Sequence, residues 1–490
     1  MFYSRSRIMK RISLFAAITA IFGLSYTQHP LYTAHYYFFF GLSRSGFGFL
    51  SGDLLALGID PFPIFSFIVE ITYKYLFEFL FYIYPILLTG VYALSFIGIV
   101  FEIFPKIRES KNLRFIFFAI FILIHSKLFY NITFKMGWVF TQGVANYYLL
   151  GPAFQPSMFG VFLLLSIFLF LKGKLRTATL VAVITTVIHP TYLLSAGCLT
   201  LSYMIAGYIR TKSFKEPMIL GLIGLSIAVP IVIVTKFILL KSTSPEIMAQ
   251  AEDILVNFRI PHHTVPSRWI INTLYRIPYV LVAIFLIRKT KLFIPMTVLF
   301  TVTILLSALQ MITDSTSLAL ISPWRMSVLL VPISTIAFLS FFLNRIKVVS
   351  GWWLVTSVTV VVICTTYGIN FMAVQKPYSE EFAELRTFVI SNTQESDTYL
   401  IPPRNKDFQH FRLSTGAPAY VHFKLHPFKD TDIIKWRDMI GKAEAFYESG
   451  NICNMISEFP VTKIITKESK IKCNGITEIF SNDSYNIYTL

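Results

Sequence analysis

Residues 351–375 carry no charged side chain, and residues 219–240 carry one, Lys236. A helix of about 20 apolar residues spans the ~30 Å hydrocarbon core of a bilayer. Within lipid only helices and closed barrels satisfy their own backbone polar groups. Runs of this kind recur along the 490 residues, which makes the fold class a polytopic α-helical membrane protein. Composition agrees, with 55% hydrophobic and 14% charged residues against roughly 25% charged in a soluble domain. The net charge of +17 would suggest nucleic acid in a soluble protein. Here an excess of Lys and Arg in cytoplasmic loops accounts for it. No nucleic-acid motif is present, and no nucleic-acid partner is expected.

The basic clusters set the topology. Arg5, Arg7, Lys10 and Arg11 precede the first apolar run, which has no clear cleavage site after it and reads as an uncleaved helix. Further clusters fall at 106–114, 172–176, 210–215, 288–291 and 345–347. With all of them cytoplasmic, the helices fall near 12–28, 80–104, 115–131, 157–172, 176–189, 191–209, 217–240, 269–287, 292–311, 326–343 and 351–373. These are about eleven crossings, an odd number, so the N-terminus is cytoplasmic and the tail extracytoplasmic. Residues 175–209 are short for two crossings. A single helix there would invert every later basic loop. The expectation is two short helices joined by a recessed turn at His189-Pro190-Thr191-Tyr192, lining a cavity.

Two regions lie outside the helices: a long first outer loop at 28–78 and a soluble domain at 375–490, following the membrane part at 1–374. Glu70, Lys74 and Glu78 share one helical face, which reads as a helix on the membrane surface. The tail alternates in an α/β manner. Strands are expected at 398–401, 419–424, 462–466, 476–480 and 486–490, with helices at 407–414 and 430–448 and a turn at Asn482-Asp483. Cys198 and Cys364 fall in apolar segments. Cys453 and Cys473 lie in the tail, and spacing alone leaves their pairing open.

Candidate chemistry gathers in the outer loops. Asp53 and Asp60 stand in G-D-L-L-A-L-G-I-D-P-F-P (52–63). A carboxylate beside aromatics at a membrane surface suits a general base; the competing reading is a pair of turn or helix caps. R-I-P-H-H-T-V-P-S-R (259–268) joins Arg259 to His262 and His263. Adjacent histidines on an extended strand point apart, so a phosphate contact is favoured over a metal. Arg325, in S-P-W-R (322–325), starts a helix from the outer side, where it meets an anionic headgroup or snorkels at the interface. His189 at the recessed turn, His29, His35 and His125, with Gln142, Asn146, Tyr147, Tyr148 and Gln155, add a polar, aromatic lining suited to a sugar. Few ionisable residues fall within the crossings, and no internal repeat is evident, which weighs against a transporter. No cofactor motif is present.

In several stretches the chain resembles an uncharacterised bacterial family of polytopic membrane proteins. They are D-P-F-P-I-F-S (60–66), G-P-A-F-Q-P-S (151–157), H-P-T-Y (189–192), R-I-P-H-H-T-V-P-S (259–267), F-R-L-S-T-G-A-P-A-Y-V-H-F-K (411–424) and K-D-T-D-I-I-K-W-R (429–437). In architecture it is similar to the GT-C superfamily of membrane glycosyltransferases. That resemblance implies an enzyme of the bacterial inner (plasma) membrane that takes a sugar from a polyprenyl-phosphate donor at the outer face. It gives Asp53 or Asp60 the base role. Arg259, His262, His263 and Arg325 hold the leaving phosphate, with His189 and Gln155 lining the substrate site. The chain departs from the pattern in lacking an adjacent acidic pair in the first loop. The alternatives are a non-catalytic lipid- or polysaccharide-handling membrane protein and a transporter.

Overall fold

The computed structural model describes all residues except 1, 27–35, 135–136, 152, 240, 348–349, 375, 377, 450–451 and 469–472. His29 and His35 therefore lie outside the described residues.

Helices occupy each of the eleven apolar stretches, from Phe2–Ser25 to Gly351–Val374. Among the described residues, six helical stretches are long and apolar enough to cross a membrane: Leu80–Ile103, Pro190–Thr211, Lys215–Ile238, Phe293–Thr313, Thr316–Leu343 and Gly351–Val374. This is the make-up of an integral membrane protein. Val161–Leu171 and Arg276–Leu286 have 11 residues each, about 16 Å of helix against a core of ~30 Å. Six helices among the described residues thus have the length and composition for a crossing, where the sequence suggested about eleven crossings.

The chain turns at His189 because Pro190 has no N–H to continue the helix and pushes its predecessor into extended backbone. His189 is extended, at φ −138° and ψ 93°, and only 3% exposed. Leu175–Ile188 and Leu193–Thr211 flank the turn and pack together.

The first loop forms short helices, Phe39–Ser45 and Leu54–Leu57, then the longer Pro63–Tyr75. This last helix carries Glu70 and Lys74 and ends before Glu78. Glu70 pairs with Arg44 at 2.9 Å.

The tail holds a four-stranded sheet of β1 (Tyr399–Leu400), β2 (Lys463–Lys467), β3 (Thr477–Ser481) and β4 (Tyr485–Thr489), in the order β1-β2-β4-β3. β1 runs parallel to β2, and the other neighbours are antiparallel. Successive strand residues face opposite sides. Ile464 and Tyr488 meet Ile433, Trp436 and Ile440 of the helix Asp430–Glu448. Ile465, Tyr485 and Ile487 meet Phe382, Leu385 and Val389 of the helix Glu380–Asn392. The latter helix was not read from the sequence. Its signal is Ser379, which caps the Phe382 N–H at 3.2 Å, followed by two acidic residues that suit a helix N-terminus. Cys453 and Cys473 are disulfide-bonded, and Cys198 and Cys364 are buried thiols.

The strand expected at 419–424 is not there. Its backbone is bonded to other groups: the Ala419 N–H donates to Asp53 Oδ2 at 2.9 Å, and the Lys424 N–H to His422 Nδ1 at 3.1 Å. The Lys424 carbonyl accepts from Arg259 Nη2 at 2.8 Å. The segment touches the sheet at one point, where Ala419 bridges to Tyr399 of β1 and the Tyr420 N–H donates to the Tyr399 carbonyl at 2.9 Å, and then bends toward the membrane part.

The tail is tightly docked. Phe49 N–H donates to the Gly416 carbonyl at 2.8 Å. Gly48 and Gly416 both have positive φ, and a Cβ on Gly48 would sit 2.6 Å from the Gly416 Cα. Only glycine permits that approach. Ala251 and Ile254 of the membrane part pack into the tail's own core, and Asp430 accepts from both the amide and hydroxyl of Thr243.

Candidate functional site

A cavity of about 320 Å³ lies where the first loop, the His189 turn, the 146–157 segment, the 255–263 segment, Ser322 to Arg325 and tail residues 424–428 converge. Small-molecule sites are typically ~300–1,000 Å³. Asp60, Gln155, His189, Arg259, His262, His263 and Arg325 all line it.

Asp53 does not line this cavity. Its side chain is fully buried and pairs with Arg412 Nε at 2.5 Å and Nη2 at 3.3 Å. It also accepts the Leu55 and Ala419 N–H groups. Every direction around this carboxylate is occupied, so Asp53 is a strut between the first loop and the tail. His125 is also elsewhere, buried between the Tyr92 hydroxyl and the Phe121 carbonyl. Gln142 is buried outside the lining.

Asp60 is the only carboxylate among the described lining residues. Oδ1 accepts from the Phe62 N–H at 2.9 Å and the Ser66 hydroxyl at 3.0 Å. Oδ2 meets Arg44 at 2.9 Å. The turn read from Asp60-Pro61 is therefore present, on a residue that also lines the cavity.

Arg259, Arg325 and Lys424 line the same cavity. Arg259 is 5% exposed. Its Nη2 is spent on the Lys424 carbonyl, and its Nε has no partner. Arg325 lies over the Tyr147 ring at 4.1 Å, and its Nε is likewise buried and unpartnered. Burial and the neighbouring Arg404 hold the Arg259 pKa below its usual value. Lys424 is pushed down by burial, then by Arg259 and Lys406. A buried donor without an acceptor is costly, and the Nε atoms of Arg259 and Arg325 are two such donors on residues that line one cavity.

The imidazoles stay neutral. Burial, then His262, push His263 down to about 3. Its Nδ1–H donates to the Ala145 carbonyl at 2.6 Å, which leaves Nε2 bare. Burial and Arg259 push His426 to about 3. His262, His263, Tyr147 and the Arg325 guanidinium form a column, with ring separations of 4.1 and 4.6 Å.

This wall is strained. Ala145, Asn146 and Ser322 have φ of 54°, 58° and 54°. Such backbone persists only where its surroundings enforce it, and it clusters at functional sites. Here the Val144 N–H is held by Ser327 at 2.8 Å, the Gly143 carbonyl by Arg276 at 2.5 Å, and the Tyr147 hydroxyl by Ser322 at 3.0 Å.

Sequence reasoning missed Lys424, His426 and Phe428, which the tail contributes to the lining, and Tyr36 and Tyr37 from the first loop. A signal was available in H-F-K-L-H (422–426), a dense basic and aromatic run. Among the described residues no group of three or more His, Cys, Asp or Glu is placed to hold a metal.

Residues 380–442 match a domain of unknown function (DUF6798). The matched segment contains Arg412, which grips Asp53, and the cavity residues Lys424, His426 and Phe428. Two of the resembling stretches, 411–424 and 429–437, fall within it, and the other four precede it. None of the curated proteins compared matches the chain.

Proposed function

We propose that the protein is a membrane glycosyltransferase of GT-C type that takes a sugar from a polyprenyl-phosphate donor at the outer face of the membrane. The observation that carries this reading is one cavity whose described lining includes a single carboxylate, Asp60, and two arginines with unpartnered Nε atoms. In the reaction the bond from the sugar's anomeric carbon to the phosphate oxygen breaks. Its electron pair leaves with the phosphate, whose charge Arg259 and Arg325 neutralise. An acceptor hydroxyl oxygen bonds to that carbon, and its proton passes to Asp60. His189, Gln155 and the tyrosines give the polar and aromatic walls that sugars pack against.

The reading includes eleven crossings, with the N-terminus cytoplasmic and the tail extracytoplasmic, in a bacterial inner membrane. The basic loop clusters support that sidedness. So does the Cys453–Cys473 disulfide, since disulfides persist in oxidising compartments.

A second reading is a non-catalytic lipid-phosphate-binding protein. One observation favours it: Arg44, the Phe62 N–H and Ser66 already engage the Asp60 oxygens. The test uses full-length protein in detergent, a labelled polyprenyl-phosphate sugar, and a membrane extract as acceptor source. The transferase reading expects sugar transfer that Asp60→Asn lowers by about 10²–10⁴-fold with donor binding retained. Donor binding without transfer in the wild type would overturn it and leave the second reading.

A further inference from the structure

The charges around this cavity do not balance for a single phosphate. Arg44 pairs with both Asp60 and Glu70, at 2.9 Å each, so that trio carries one net negative charge. Three cations line the cavity: Arg259, Arg325 and Lys424. The surplus is two positive charges. A sugar linked to a lipid through one phosphate carries one negative charge; linked through a diphosphate it carries two.

The geometry divides the cations into two groups. Arg259 and Arg325 belong to the membrane part, and Lys424 to the tail. Lys424 is pinned at both ends of its backbone: its N–H donates to His422 Nδ1 at 3.1 Å, and its carbonyl accepts from Arg259 at 2.8 Å. The side chain therefore leaves from a fixed point beside Arg259. The same contact orients the Arg259 guanidinium, with Nη2 holding the carbonyl and Nε buried without a partner.

We infer that the anion this cavity takes is a diphosphate, held between Arg259 and Arg325 of the membrane part and Lys424 of the tail. The anion assignment rests on the cavity alone; that the diphosphate carries a sugar rests on the transferase reading. The leaving group in the transfer is then a lipid diphosphate, which departs with the electron pair of the bond from its terminal oxygen to the anomeric carbon. Lys424 touches the phosphate remote from that bond or the one adjacent to it, and in either position it offsets charge that a monophosphate lacks. On this assignment the tail is half of the ligand site rather than an appended module.

The experiment measures binding of the terminal methyl esters of farnesyl phosphate and farnesyl diphosphate, which carry one and two negative charges, to the full-length protein in detergent, with EDTA present to remove divalent cations. The wild type is expected to bind the diphosphate about tenfold or more tightly than the monophosphate, the size of one charge-assisted contact. Lys424→Ala is expected to reduce that preference to about twofold, and Lys424→Arg to keep it. Lys406→Ala removes a nearby positive charge that does not line the cavity and serves as the control for general attraction; it is expected to leave the preference intact. Equal affinities in the wild type would overturn the inference, as would a preference that survives Lys424→Ala or falls equally with Lys406→Ala. Each outcome is separate from the transferase test: diphosphate preference without sugar transfer sinks the enzyme and keeps this site, and transfer from a monophosphate donor without the preference does the reverse.

Discussion

Asp53 and Arg412, 359 positions apart, form a buried ion pair at 2.5 Å that joins the first loop to the tail. The pair is almost dry, with 0% and 7% of the two side chains exposed. Arg412 also donates to the Ala419 carbonyl, so one guanidinium holds both sides of the junction.

Breaking this pair leaves a buried charge without compensation, which costs ~3–5 kcal/mol. Asp53→Asn and Arg412→Met are each expected to lower unfolding stability by about that amount. Together they should cost less than the two singles combined, because the double variant strands no charge. Denaturant unfolding of the four proteins in detergent measures the coupling. Additive losses would mean that the pair contributes nothing specific.

His422 gives the fold a pH dependence. Its Nδ1 accepts the Lys424 N–H, so only the neutral ring fits. Burial, then Arg412, push it down to about 3, against about 6.5 in an unfolded chain. Between those values the unfolded state binds the extra proton. Stability is therefore full above about pH 6.5 and falls as pH drops toward 3, by up to ~1.4 kcal/mol per pH unit. His422→Asn keeps an acceptor near Nδ1 and removes the titration. It is expected to give a flatter stability profile between pH 6 and 4, measured by thermal unfolding across that range. An unchanged slope would assign the effect to other groups.

Arg259 does two jobs through one fork. Arg259→Ala is expected to weaken binding of a polyprenyl-phosphate ligand by about 10–100-fold, the range for a charge-assisted contact. Arg259→Lys should recover little of that, because an ammonium cannot hold the Lys424 carbonyl and an anion in the fixed geometry of a guanidinium. Binding isotherms of the three proteins decide it, and full rescue by lysine would reduce Arg259 to a point charge.

Some elements were legible from local pattern. The helix at 430–448 occurs with those bounds, because its apolar spacing and acidic first turn agree. The turn at His189 was legible because Pro190 cannot continue the helix and pushes its predecessor into extended backbone. The strand expected at 419–424 was not, because pairing with β1 stops after one bridge at Ala419, and the Ala419 and Lys424 amides bond to Asp53 and His422. Asp53 and Asp60 looked equivalent in one short motif. Their surroundings separate them: one is paired inside a domain junction, and the other lines a cavity.

By itself, then, the sequence determined the apolar helices, the α/β tail and the loop residues available for chemistry. Hydrophobic run length, proline and residue periodicity act over a few turns of chain, and they are written in consecutive residues. Tertiary structure alone decided that Asp60, Arg259, Arg325 and Lys424 share a cavity while Asp53 does not. Arg259 and Lys424 are 165 positions apart, and nothing local in either segment encodes their meeting. It follows from docking of the tail, through the close approach of Gly48 to Gly416 and the buried pair of Asp53 with Arg412.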